Sequence, residues 1–96
     1  MPDTMNRDRQ PDLERLGRFV RDSRLRLGLS QAQLARRVGW SQERVSVLEH
    51  GTYGLPSLPK LDRLATALDV PLADMLEALG YVVRDEVETT AREATG

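Results

Sequence analysis

Cysteine is absent from the 96 residues, which excludes disulfides and thiolate metal sites and fits a reducing cytosol. His50 is the single histidine, so no imidazole cluster is available, and neither a metal nor a cofactor is expected. No apolar run approaches the roughly 18 residues of a membrane span. The opening MPDTMNRDRQ lacks the apolar segment of a signal peptide, so a cytoplasmic protein is expected. No internal repeat appears. Paired carboxylates, a glycine-rich phosphate loop and a Cys/His arrangement are also missing. The run Ser57-Leu58-Pro59-Lys60 does spell S-x-x-K, but the enzymes that use it need a much larger fold and further motifs. Ser57 reads better as a helix cap, and no enzyme is expected.

Charge of one sign is not in excess either. The net charge of −1 argues against a general nucleic-acid coater, but its distribution is uneven. Between Asp12 and Leu58, eight arginines face five acidic residues; from Pro59 to Gly96, four basic residues face eight acidic ones. With 40% hydrophobic residues the chain supports one small domain with a thin core.

The stretch that orders the rest is SQAQLARRVGWSQERVSVLEHG, residues 30–51. Ser30 and Gln33 form an S-x-x-Q capping box, with Leu29 and Leu34 as its hydrophobic staple. The first helix of the pair turns Leu34, Ala35 and Val38 inward. Gly39 sits in the turn, where a positive φ costs glycine little. Trp40 reads as packing in that turn. Ser41 caps a second helix over about 42–50, with Val45 and Leu48 inward, Gln42, Glu43, Ser46 and Val47 on the outer face, and Arg44 flanking. His50 suits the negative end of the helix dipole.

Upstream, Leu13, Leu16, Val20 and Leu27, with Phe19, mark one face of a helix from Asp12 to Leu27, stopped by Gly28. Downstream, Ser57 caps a helix over 58–68 with an inward stripe of Leu58, Leu61, Leu64, Ala65 and Leu68. A last helix over about 72–79 turns Leu72, Met75, Leu76 and Leu79 inward. Residues 1–11 read as a flexible N-terminal tail, 12–80 as the domain, and 81–96 as a C-terminal tail. Tyr81-Val82-Val83 in that tail offer an apolar contact to the domain or to a second subunit.

Two short helices joined by a glycine-containing turn are the parts of a helix-turn-helix. In DNA recognition the second lies in the major groove and the first crosses the backbone. The residue chemistry suits this. Gln42 can pair with adenine, Glu43 can accept from cytosine, Val47 can touch a thymine methyl, and Arg44 can reach guanine or phosphate. Gln31 and the free N–H groups opening its helix suit a phosphate. The same pattern equally describes a helical core whose polar outer face is merely solvated.

The ordered set Gly28-Leu29-Ser30-Gln31, Leu34-Ala35, Gly39, Val45, Leu48-Glu49, Gly51, Pro56-Ser57, Leu64-Ala65, Ala67-Leu68 and Leu76 resembles the phage-repressor/Cro (Xre-type) helix-turn-helix family over about residues 13–80. The resemblance implies an all-α, five-helix fold. It also implies sequence-specific binding of double-stranded DNA, usually as a homodimer on a palindromic site, by a repressor or an antitoxin-like autoregulator. Carried over by position, Gln42, Glu43, Arg44 and Val47 face bases, with Gln31, Ser41 and His50 at the backbone. Arg24 and Glu49 match a salt bridge that sets the angle of the recognition helix. The loop Thr52-Tyr53-Gly54-Leu55 departs from the pattern, because it lacks the basic residues that clamp phosphate and leaves Tyr53 to donate one hydrogen bond. An alternative is a protein-interaction module on the same fold, motivated by the acidic distal half, with a protein partner in place of DNA.

Overall fold

Asp12 opens the first helix. Its carboxylate accepts the Arg15 N–H at 3.0 Å, and its own N–H donates to the Leu79 carbonyl at 2.8 Å, which ties the first helix to the end of the last. The computed structural model describes residues 10–81. Helices α1 (Leu13–Arg26), α2 (Gln31–Val38), α3 (Gln42–Glu49), α4 (Leu58–Leu68) and α5 (Leu72–Ala78) account for the regular structure, and no strand occurs among the described residues. The fold is the all-α, five-helix arrangement expected. The expectations about residues 1–9, about the tail beyond Tyr81 and about Val82-Val83 lie outside the described residues.

The local signals act as their chemistry dictates. The Ser30 hydroxyl accepts the Gln33 N–H at 3.0 Å while the Gln33 side chain accepts the Ser30 N–H at 2.7 Å, so the capping box is complete. Gly39 adopts φ +76° and lets the chain leave α2 and enter α3 within three residues. Ser41 accepts the Arg44 N–H at 3.1 Å. Ser57 occupies the cap position of α4 but makes no side-chain cap hydrogen bond. Pro59 stands in the first turn there and removes one of the two N–H groups such a cap would use. Ser30→Ala is therefore expected to destabilise the domain by about 1 kcal/mol, and Ser57→Ala by less than about 0.5 kcal/mol. Paired thermal melts check the contrast.

The core is continuous through all five helices. Leu16 and Val20 of α1 meet Leu34 and Val38 of α2, Val45 and Leu48 of α3, Leu64 and Leu68 of α4, and Met75 of α5, all essentially without solvent contact. Each such side chain contributes roughly 1.5–3 kcal/mol by leaving water. Helix α3 packs on α1 and α2, whereas α5 packs on α1 and α4. Helix α3 thus lies at an edge of the helical core, supported by α1 and α2.

Two expected core residues are not in the core. Leu27 is 41% exposed because α1 ends at Arg26 and Gly28 then turns the chain away. The buried end of the α1 stripe is instead Ser23 and Arg24. Leu58 is 56% exposed, since the first residue of α4 projects past the rim of the core. Helix α3 ends at Glu49, with His50 as its cap, and α5 ends at Ala78, which is itself buried.

Candidate nucleic-acid interface

Glu49 is where the three helices around the site are tied together. Its Oε2 accepts the Arg24 Nε at 2.6 Å, and its Oε1 accepts the Arg24 Nη2 at 3.0 Å and the Gln31 Nε2 at 3.0 Å. The Arg24 and Glu49 side chains are only 9% and 4% exposed. The remaining Arg24 Nη1 donates to the Leu29 carbonyl at 2.8 Å. A charge pair this deeply buried survives because each of the three guanidinium nitrogens has an acceptor. The last turn of α3 is thereby fastened to α1 through Arg24 and to α2 through Gln31.

A second restraint on α3 comes from Gly17, which the sequence reading passed over. A Cβ placed there would stand 2.5 Å from the Glu49 carbonyl oxygen and 2.6 Å from that of Leu48. The backbones of α1 and α3 are therefore in contact at that point, and only glycine fits. Its sequence signal was a glycine inside a helix on the buried face, a placement that costs about 1 kcal/mol relative to Ala and needs a packing reason.

The opposite end of α3 is free. Ser41, Gln42, Glu43 and Arg44 are exposed, Ser46 and Val47 half-buried, and Val45 and Leu48 hold the helix down. Of the residues expected to face bases, Gln42, Glu43 and Val47 thus share the outward side of one short helix, and Arg44 lies at its flank. Those expected at the backbone divide. Gln31 and His50 line one cleft together with Arg21, over the Arg24–Glu49 pair. Arg21 was not singled out from sequence, although it lies three residues before Arg24 on the same helix face. Gln31 spends one amide hydrogen on Glu49 and keeps the other. His50 Nδ1 lies 2.8 Å from the Ser46 carbonyl, to which the ring donates in its Nδ1–H form. Ser41 spends its hydroxyl oxygen on its own cap.

Tyr53 lies elsewhere, stacked on Trp40 with ring centroids 5.4 Å apart and planes 9° from parallel. The Arg44 guanidinium sits over both rings, 5.4 Å from the Trp40 centroid and 5.6 Å from that of Tyr53. Trp40 is half-buried against the core, as packing in the turn requires. Trp40 and Arg44 stand four residues apart, but nothing local in the sequence joined Tyr53 to them, since it reaches both across the length of α3.

Comparison with known proteins adds to this geometry. A family model described as a helix-turn-helix domain matches residues 15–79. An uncharacterised HTH-type transcriptional regulator of Methanothermobacter thermautotrophicus is 45% identical over 50 residues, covering 52% of this chain and 71% of that protein. Among solved structures, the restriction-modification controller protein C.AhdI from Aeromonas hydrophila is 36% identical at a TM-score of 0.62, covering 67% of this chain and 91% of that one. SinR, a master regulator for biofilm formation solved in complex with DNA, is 26% identical at a TM-score of 0.60, covering 64% of this chain and 97% of that one. The hydroxypropylphosphonic acid epoxidase from S. wedmorenis matches at a TM-score of 0.64 and 24% identity, with 71% of this chain covered but 35% of that one. The same fold therefore also forms a minor part of an enzyme chain, and function has to be argued from the site.

Proposed function

From the premise that this chain belongs to the helix-turn-helix domain family matched over residues 15–79, we propose that it is a transcriptional regulator that reads double-stranded DNA with α3 in the major groove. One observation carries the reading. The last turn of α3 is locked to α1 and α2 through Glu49, while its first turns stand free with Gln42 and Glu43 exposed. A helix so held presents the same side chains at the same angle on every encounter, which is the condition for reading base edges. The HTH-type regulator of M. thermautotrophicus, C.AhdI and the DNA complex of SinR support the reading by similarity.

In this reading Gln42 pairs with adenine, Glu43 accepts from cytosine and Val47 packs on a thymine methyl, with Arg44 at the edge of that set. Gln31, His50 and the Arg21 missed in sequence hold a phosphate at the start of α2, where free N–H groups add to the site. A Ser41 contact with the backbone is secondary, and Tyr53, stacked on Trp40, positions its neighbours rather than touching the backbone itself. The domain acts as a homodimer, because a single recognition helix covers one half-site and pairing two multiplies a modest grip. A protein bound over such a site keeps other proteins off it, so repression, including repression of its own gene, is the regulation this binding mode suits.

Gln42→Ala tests the readout. Binding to a panel of duplexes varied one base pair at a time is expected to lose preference at one or two positions, by about 1–3 kcal/mol each. A uniform loss over all sequences would remove Gln42 from direct readout.

A further inference from the structure

We propose that Trp40 and Tyr53 form a stacking platform that holds Arg44 as a phosphodiester contact, on the wall of the groove opposite the Arg21–Gln31–His50 cleft. The proposal rests on the reading of α3 as a groove helix and names what its second flank does. Arg44 is exposed and makes no ion pair among the described residues, yet its guanidinium lies over two near-parallel rings. A free arginine samples many rotamers. One drawn to aromatic rings by cation–π attraction samples fewer, and that attraction leaves its N–H groups free to donate.

The direction of that edge follows from helix geometry. Arg44 and Glu49 are five positions apart, or about 140° round the axis on the buried side. Gln42, Glu43 and Val47 occupy the outer arc between them. Glu49 marks the flank that carries the cleft, so Arg44 marks the other. An α-helix with side chains is about 10–12 Å across and fills a major groove about 12 Å wide. Both flanks then meet a phosphate strand. The loop 52–55 carries no charge of its own, and Arg44, held against Tyr53 of that loop, supplies a cation there. Trp40 and Tyr53 are positioning residues in this account, and Arg44 is the contact.

Three measurements on the full chain test it. Trp40 is the only tryptophan, so its emission reports the platform without DNA. Arg44→Ala is expected to change its intensity or maximum, and Arg36→Ala, on exposed α2 surface, to leave both unchanged. On duplex DNA, Arg44→Ala is expected to weaken all sequences alike, by about tenfold, and to lower the slope of log K against log salt by about one. Tyr53→Leu keeps the charge but removes a ring. It is expected to weaken binding about twofold to fivefold with the slope unchanged, once a thermal melt shows the variant folded. Trp40 emission unmoved by Arg44→Ala would overturn the platform. An Arg44→Ala variant that loses preference at one base pair and keeps its salt slope would make Arg44 a base reader and overturn the phosphate contact. Wild-type protein that binds no duplex would overturn the DNA reading itself, while the emission data would still decide whether the platform exists.

Discussion

Arg24→Ala is expected to lower the unfolding free energy by about 3–5 kcal/mol. The Tm is expected to fall by well over about 10 °C, since a domain of this size shifts by roughly 4–8 °C per kcal/mol. The cause is the carboxylate left behind. Glu49 is buried and would keep only the Gln31 amide, a neutral donor, as partner. Arg24 also gives its third nitrogen to the Leu29 carbonyl, so that acceptor is stranded too. Arg24→Lys is expected to recover part of the loss, because an ammonium keeps the charge but cannot make two parallel bonds to one carboxylate. The Arg24→Ala/Glu49→Ala double variant is expected to be more stable than the two single effects added together, since no charge remains unpaired. An Arg24→Ala protein melting within error of the wild type would show that the pair does not hold α3.

Gly17→Ala is the second large effect, and its sign is counterintuitive. Alanine is the better helix former by about 1 kcal/mol, and mid-helix glycines often gain stability on this change. Here the added methyl would stand 2.5 Å from a backbone oxygen of α3. Neither partner is a flexible side-chain end, so the two helices have to separate. Net destabilisation of about 3 kcal/mol is expected, with Leu48 and Val45 partly lifted from the core. A chemical denaturation curve measures it. A Gly17→Ala protein as stable as the wild type would mean that α1 and α3 are not in backbone contact.

Features written in neighbouring residues were legible in the sequence. Ser30 and Gln33 are three apart and satisfy each other within one turn; Ser41 needs only the N–H of Arg44; the Gly39 turn needs only its own φ. Periodicity found the helices but not their limits. Leu27 and Leu58 lie on the right stripes and fall outside the core because one follows the end of α1 and the other is the first residue of α4. The Arg24–Glu49 pair was legible only by resemblance, since 25 residues separate the partners. Gly17 against Glu49, Arg21 beside His50, and Tyr53 on Trp40 were not legible at all. Each is a contact between elements that the chain brings together only after it folds.

The geometry of α3 makes one claim above the rest, that this helix reads base sequence. Selection from a pool of random DNA duplexes at low salt tests it most directly. The expected result is enrichment of one motif whose two related halves lie about 10–10.5 base pairs apart or at multiples of that spacing, with the preference at one or two of its positions lost when Gln42→Ala is selected in parallel. A wild-type pool that emerges no different from the input would contradict it.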